Sequence, residues 1–187
     1  MLFRSEGFFA GEIAPVELPP TRKGPVPAVT EDEHPRPGTD LATLAKMKVL
    51  YKDGVTTAGN ASGVNDGAVA LMVGSRTAGE KAGAKPLARI IASASAGARP
   101  DIMGIGPVAA SKKALTRLGL SINDMDIIEI NEAFAAQVLS CLKGLGVAFD
   151  DKRVNPNGGA IALGHPLGAS GARLALTAAR QIGRAHV

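Results

Sequence analysis

Between Asn155 and Arg173 five glycines, at 158, 159, 164, 168 and 171, rule out one continuous helix or strand and require a tightly turned loop. A backbone without Cβ atoms turns sharply and lets another group approach closely. His165 sits in this loop between Gly164 and Pro166, where a helix does not continue. An imidazole there has the pKa to take and return protons near neutrality. A lone histidine in a glycine-rich loop is commonly structural, and a phosphate cradle is a second reading. The phosphate reading is weak, because neither a Gly-Lys-Ser/Thr ending nor a clean Gly-x-Gly-x-x-Gly is present.

Around this loop the chain alternates extended and helical signals. Prolines at 15, 19, 20, 25, 27, 35 and 37 keep residues 8–38 irregular. Thr39 or Asp40 caps a short helix with Leu41, Leu44 and Met47 at helical spacing. Lys52-Asp53-Gly54 marks a turn, residues 68–73 read as a buried strand, and Ser75 to Ala82 reads as a helix closed by Gly83. Further on, residues 88–94 and 126–130 read as strands. Pro107 opens a helix ending before Gly119. Asn131 is expected to cap a helix with Phe134, Val138, Leu142 and Leu145 on one side, and 169–180 forms the last helix. Strands alternating with helices indicate an α/β layered domain. With aromatics at 3% and no Trp, its core must be built from Ala, Val, Ile and Leu.

Composition narrows the function. No apolar run approaches the roughly 18–20 residues of a membrane span, nothing resembles a signal peptide, and a single cysteine suits a reducing cytoplasm. The two ends, 1–5 and 182–187, back-translate to strings resembling short-read sequencing adapters. They are expected to be read-through sequence, with the gene truncated on both sides. Setting aside Arg4 and Arg184 lowers the formal charge of +4 by two, too little to argue for nucleic acid or a membrane surface.

The whole string Asn155-Pro-Asn-Gly-Gly-Ala-Ile-Ala-Leu-Gly-His-Pro-Leu-Gly-Ala-Ser-Gly-Ala-Arg173 closely resembles the C-terminal signature of thiolases. Thr57-Ala-Gly-Asn-Ala-Ser-Gly-Val-Asn-Asp-Gly67 and Asn131-Glu-Ala-Phe-Ala-Ala-Gln137 resemble the same family in the same order. Arg22-Lys-Gly24, Asp32-Glu-His-Pro-Arg36 and Met103-Gly-Ile-Gly-Pro107 are weaker matches. The resemblance runs from Gly7 to about Arg180. It implies a thiolase-type layered fold, a mixed sheet packed by helices, lacking most of the N-terminal half and the last C-terminal strands. Residues 6–85 would be the tail of the N-terminal domain, with a CoA-contacting segment, and 86–181 a truncated C-terminal domain.

The resemblance also implies roles. Thiolases move acyl groups between coenzyme A thioesters through an acyl-cysteine. His165 matches the histidine that activates the nucleophilic cysteine and binds the thioester oxyanion, and Asn131 matches the asparagine holding a water there. Ala58 and Ser62 match contacts to the pantetheine arm, Arg36 and Thr43 contacts to the nucleotide end of CoA, and Met103 and Phe134 the lining of the reaction pocket. On bare residue type, Arg36 reads as a solvated charge and Met103 and Phe134 as core. Coenzyme A and acyl-CoA are substrates; no cofactor, metal, nucleic acid or membrane is implied, and the intact enzyme would be a homodimer or homotetramer.

Both cysteines of the family mechanism are missing, since Cys141 follows Val138 on a helix face and reads as an inert buried thiol. His34, in the Pro-rich loop, and His186 carry no argument. The start, from Phe8 to Pro20, and Asp32 to Pro37 look most like 3-oxoadipyl-CoA thiolases. The expectation is a fragment, inactive alone, of a degradative enzyme cleaving 3-oxoacyl-CoA. A general acetyl-CoA acetyltransferase and a non-catalytic CoA- or lipid-binding protein are the alternatives.

Overall fold

The computed structural model of the chain describes residues 7–184. The suspect ends fall mostly outside it; residues 182–184 continue the last helix, and His186 is not among the described residues. Among the described residues six α-helices follow in order: α1 Leu41–Ala45, α2 Arg76–Lys81, α3 Gly106–Leu118, α4 Ala135–Leu145, α5 Ala160–Leu163 and α6 Leu167–Arg184. Short 3-10 turns at Pro100–Ile105 and Ile122–Asp124 flank α3.

The helix signals in the sequence hold well. Asp40 Oδ1 accepts from Thr43 N–H at 2.7 Å and caps α1. Those bonds hold the Asp40 carboxyl below its ordinary range. Ser75 caps α2 in the same way through Ala78 N–H. Gly119 and Gly146, both with positive φ, close α3 and α4 by accepting the left-handed conformation that other residues resist. The turn at residues 51–54 forms too, although Asp53 and not Gly54 takes the positive φ, at 61°.

Two expectations need correction. Asn131 does not cap α4; Phe134, in extended conformation, precedes its first turn, and Asn131 lies three residues upstream. Nor do 68–73, 88–94 and 126–130 form ladders. Pairing among the described residues is limited to isolated bridges, of which Ile128 to Val154 is parallel and Val16 to Val29 antiparallel. A strand is completed by a neighbour's N–H and C=O groups, and no described residue bridges to 68–73 or 88–94. Leu71, Met72, Val73, Ile90 and Ile91 are exposed in consequence.

The core gathers around α4. Ile130, Val138, Cys141, Leu142 and Val147 are buried together, with Val108, Ile122, Ile128, Leu145 and Val154 packed against them. Aliphatic residues fill it, as the shortage of aromatics requires. The segment entering the site is fixed from this core. Ile128 N–H donates to Arg153 O and Asn155 N–H to Ile128 O. The Asn155 side chain then continues the pairing, accepting from Ile130 N–H at 2.8 Å and donating to Ile130 O at 2.9 Å. Arg153 anchors the opposite end, donating to Ile122 O, Met125 O and the Asp151 carboxylate, which it holds down at about 2.

Candidate functional site

His165 leaves α5 through Gly164, whose φ of 102° is one that glycine tolerates. A Cβ at Gly164 would fall 2.7 Å from the Asn65 carboxamide. Asn65 occupies that space and accepts from His165 N–H at 3.1 Å. Val64 forms a parallel bridge with His165, so the loop and the 57–67 segment lie side by side. The same segment is tied to the approach to α4. Ser62 N–H donates to Ala133 O, Ala135 N–H donates to Asn60 O, and Ala61 bridges Phe134. Three stretches far apart in sequence thus converge on one imidazole.

The ring is held from both nitrogens. Ser170, 4% exposed in the first turn of α6, lies 2.6 Å from His165 Nδ1 and donates its own hydroxyl to Pro166 O. With that proton committed, the serine oxygen accepts from Nδ1–H. Nε2 then keeps its lone pair, and Asn131 Nδ2 donates to it at 3.2 Å. An imidazole that presents the Nε2 lone pair and is fixed in orientation by a buried hydroxyl has the geometry of a general base. Asn131 Oδ1 is buried with no hydrogen-bond partner among the described residues, leaving one polar acceptor beside the base.

Of the residues singled out by sequence, the structure brings His165 and Asn131 into contact and places Ser62 and Phe134 beside each other through the 61–134 bridge. Phe134 is 46% exposed and so is not the core residue its spacing alone implied. Ala58 lies exposed on the turn before Asn60. Arg36 and Thr43 are exposed near α1, where the Arg36 carbonyl accepts from Thr39 Oγ1. Met103, 75% exposed, sits on the 3-10 turn that packs against α4. Cys141 is fully buried, donates to Gly104 O, and has its pKa raised by desolvation, as an inert thiol would.

Sequence reasoning missed Ser170, Asn65 and Glu132. All three lie inside the matched strings, but their roles depend on folded contacts. Glu132 accepts from Asn155 Nδ2 at 2.9 Å and from Ile161 N–H at 3.1 Å, joining the Asn131 segment to α5. Gly159 packs so closely on that carboxylate that a Cβ would overlap it. Nearby, Glu129 and Arg173 are half-buried without hydrogen bonds among the described residues. Burial pushes the Glu129 carboxyl up to about 7 against the pull of Arg173, while burial lowers Arg173 against the pull of Glu129.

The convergence of these stretches agrees with comparisons to known proteins. Residues 84–186 match the thiolase C-terminal domain and residues 4–77 the thiolase N-terminal domain. The beta-ketoadipyl-CoA thiolase of Pseudomonas aeruginosa is 60% identical over 94% of this chain and 44% of its own length. The 3-oxoadipyl-CoA/3-oxo-5,6-dehydrosuberyl-CoA thiolase of Escherichia coli is 55% identical over 97% of this chain and 45% of its own. Among solved structures, Bacillus anthracis acetyl-CoA acetyltransferase superposes with a TM-score of 0.90 at 41% identity, covering 98% of this chain and 46% of that one. Human mitochondrial 3-ketoacyl-CoA thiolase in complex with CoA gives 0.83 at 42% identity, covering 99% and 45%. The chain spans less than half the length of these relatives, and its fold is a partial thiolase-type α/β fold. By domain match, identity and superposition alike, the chain belongs to the thiolase family.

Proposed function

We propose that this chain is part of an acyl-CoA acyltransferase that cleaves 3-oxoacyl-CoA with coenzyme A, most closely of the 3-oxoadipyl-CoA type. The observation that carries the proposal is the His165 Nε2 contact with Asn131, oriented from behind by Ser170, in a chain 60% identical to a beta-ketoadipyl-CoA thiolase. In this reading His165 takes the proton of a nucleophilic cysteine supplied elsewhere in the enzyme, and the thiolate forms the acyl-enzyme. The protonated ring and a water held by Asn131 Oδ1 then face the developing oxyanion. Ser62 and Ala58 border the pantetheine arm, Met103 and Phe134 line the reaction pocket, and Arg36 and Thr43 serve the nucleotide end. The names of the relatives are enzyme names, which favours catalysis over a non-catalytic binding protein. The intact enzyme is a cytoplasmic homodimer or homotetramer that needs no cofactor or metal.

The 187-residue chain alone has no candidate cysteine nucleophile, because its single cysteine, Cys141, is buried in the core. It should show no CoA-dependent cleavage of acetoacetyl-CoA or 3-oxoadipyl-CoA. A hybrid enzyme carrying this chain in place of the matching portion of the Pseudomonas aeruginosa relative should cleave both, with higher kcat/KM for 3-oxoadipyl-CoA. Turnover by the isolated chain, or a well-folded hybrid inert toward every 3-oxoacyl-CoA offered, would overturn the proposal.

A further inference from the structure

His34, one of two histidines without a role on sequence grounds, has its ring built into the molecule. Nε2 lies 3.0 Å from the carbonyl oxygen of Ile161, 127 residues away, and a carbonyl can only accept, so Nε2 carries the proton. The adjoining edge of the ring, Cε1 and Nδ1, fills the space over Gly63. A Cβ at Gly63 would lie 2.6 Å from His34 Cε1 and 2.8 Å from Nδ1. The ring therefore sits between two segments that reach the site. Gly63 adjoins Ser62 and belongs to the strip bonded to His165 through Val64 and Asn65. Ile161 belongs to α5, immediately before the His165 loop, and its N–H is held by Glu132.

Two residues beyond His34 stands Arg36, exposed, with α1 following at Leu41. The prolines at 35 and 37 restrict the backbone across this interval, so a shift at His34 is passed on to Arg36. We propose that His34 is a positioning residue that fixes the segment carrying Arg36 and Thr43 relative to the His165 loop, and so sets the reach from the nucleotide end of coenzyme A to the reacting thioester. This rests on the coenzyme A reading above and adds to it a residue that touches neither CoA nor the reacting atoms.

The test separates reach from folding by comparing CoA with pantetheine, which lacks the nucleotide. Binding of each is measured by calorimetry on the 187-residue chain and on its His34→Phe and His34→Gln variants. Phenylalanine keeps a ring over Gly63 without the donor, whereas glutamine can restore an N–H toward Ile161 O. Loss of one neutral hydrogen bond corresponds to roughly tenfold. The expected result is CoA binding weakened about tenfold in His34→Phe, pantetheine binding unchanged, and CoA binding restored in His34→Gln. Equal weakening for both ligands, or no weakening for either, refutes the positioning role while leaving the coenzyme A reading intact. If the unmodified chain prefers neither ligand, the coenzyme A reading fails at this segment. The coupling is then decided by hydrogen exchange at the His165 amide, which must be faster in His34→Phe than in the unmodified chain and His34→Gln if the joint exists.

Discussion

Replacing Gly159 by alanine adds one methyl group, and the structure predicts an effect far larger than that change implies. The backbone of Gly159, at φ −112° and ψ −169°, is ordinary extended chain that alanine adopts without strain. All the cost comes from the Glu132 carboxylate lying where the Cβ must go. Moving that carboxylate breaks its bonds from Asn155 Nδ2 and Ile161 N–H. Hydrogen bonds to a charged group contribute about 1.5–3 kcal/mol each, and partial solvent access favours the lower end, giving about 3 kcal/mol. Against a typical total of about 5–15 kcal/mol that is a severe loss. Glu132→Ala removes the same two bonds and should cost a similar amount. In the double variant the methyl group added at position 159 occupies space the carboxylate has left, so the combined cost should stay near about 3 kcal/mol and not reach about 6 kcal/mol. Urea unfolding at constant m would measure the cycle, with exchange at the Ile161 amide reporting the local bond. Additive costs, or a neutral Gly159→Ala, would refute the reasoning.

In the hybrid enzyme, His165→Ala should lower kcat by at least about 10³ with folding intact, since one side chain serves as base and oxyanion donor; the check is steady-state kinetics beside cysteine alkylation rates. Asn131→Ala should cost less, because it acts through a held water. Ser170→Ala leaves Nδ1–H without its acceptor, so kcat should fall by roughly 10-fold or more, with the kcat pH profile displaced; an unchanged profile counts against Ser170 as the orienting residue. Glu129→Gln tests the buried carboxyl. Its folded pKa of about 7 lies above the ordinary 4.5, so the folded state binds the extra proton in between, and stability falls as pH rises from 4.5 to 7. Glutamine should flatten that fall and raise the stability measured in urea at pH 7.5, by about 1 kcal/mol after solvent screening; an equal slope in both proteins excludes Glu129 as its source.

What could be read in the sequence was set by how local the signal is. Asp40, Ser75, Gly119 and the apolar spacing of Val138 and Leu142 act within a turn or two of helix, and these were legible. His165 and Asn131 were singled out together through their strings and do meet in the fold, but Asn131 was misplaced as a helix cap. Its side chain answers to a histidine 34 residues away and not to the adjacent backbone. Ser170 looked like one small residue among many, and only its 2.6 Å approach to Nδ1 gives it a role. The strand expectations at 68–73 and 88–94 failed, since among the described residues those stretches neither pair nor bury their apolar side chains. Pairing needs a neighbour, which no local pattern supplies.

Burial in this chain is one-sided: apart from Phe8, every buried residue described lies at or beyond Ile130. Protection against opening follows buried contact, so the chain should behave as a durable unit carrying a much looser leading half. A protease at low dose would then cut ahead of α3 well before it reaches α4. The surviving piece would retain the contacts of His165 with Asn131 and Ser170, yet lose Asn65 and His34, which reach the 155–173 segment from the leading half. The imidazole would keep its acceptor and its donor while its backbone lost the restraint on where it points, so accuracy of aim would fail before the chemistry of the ring did.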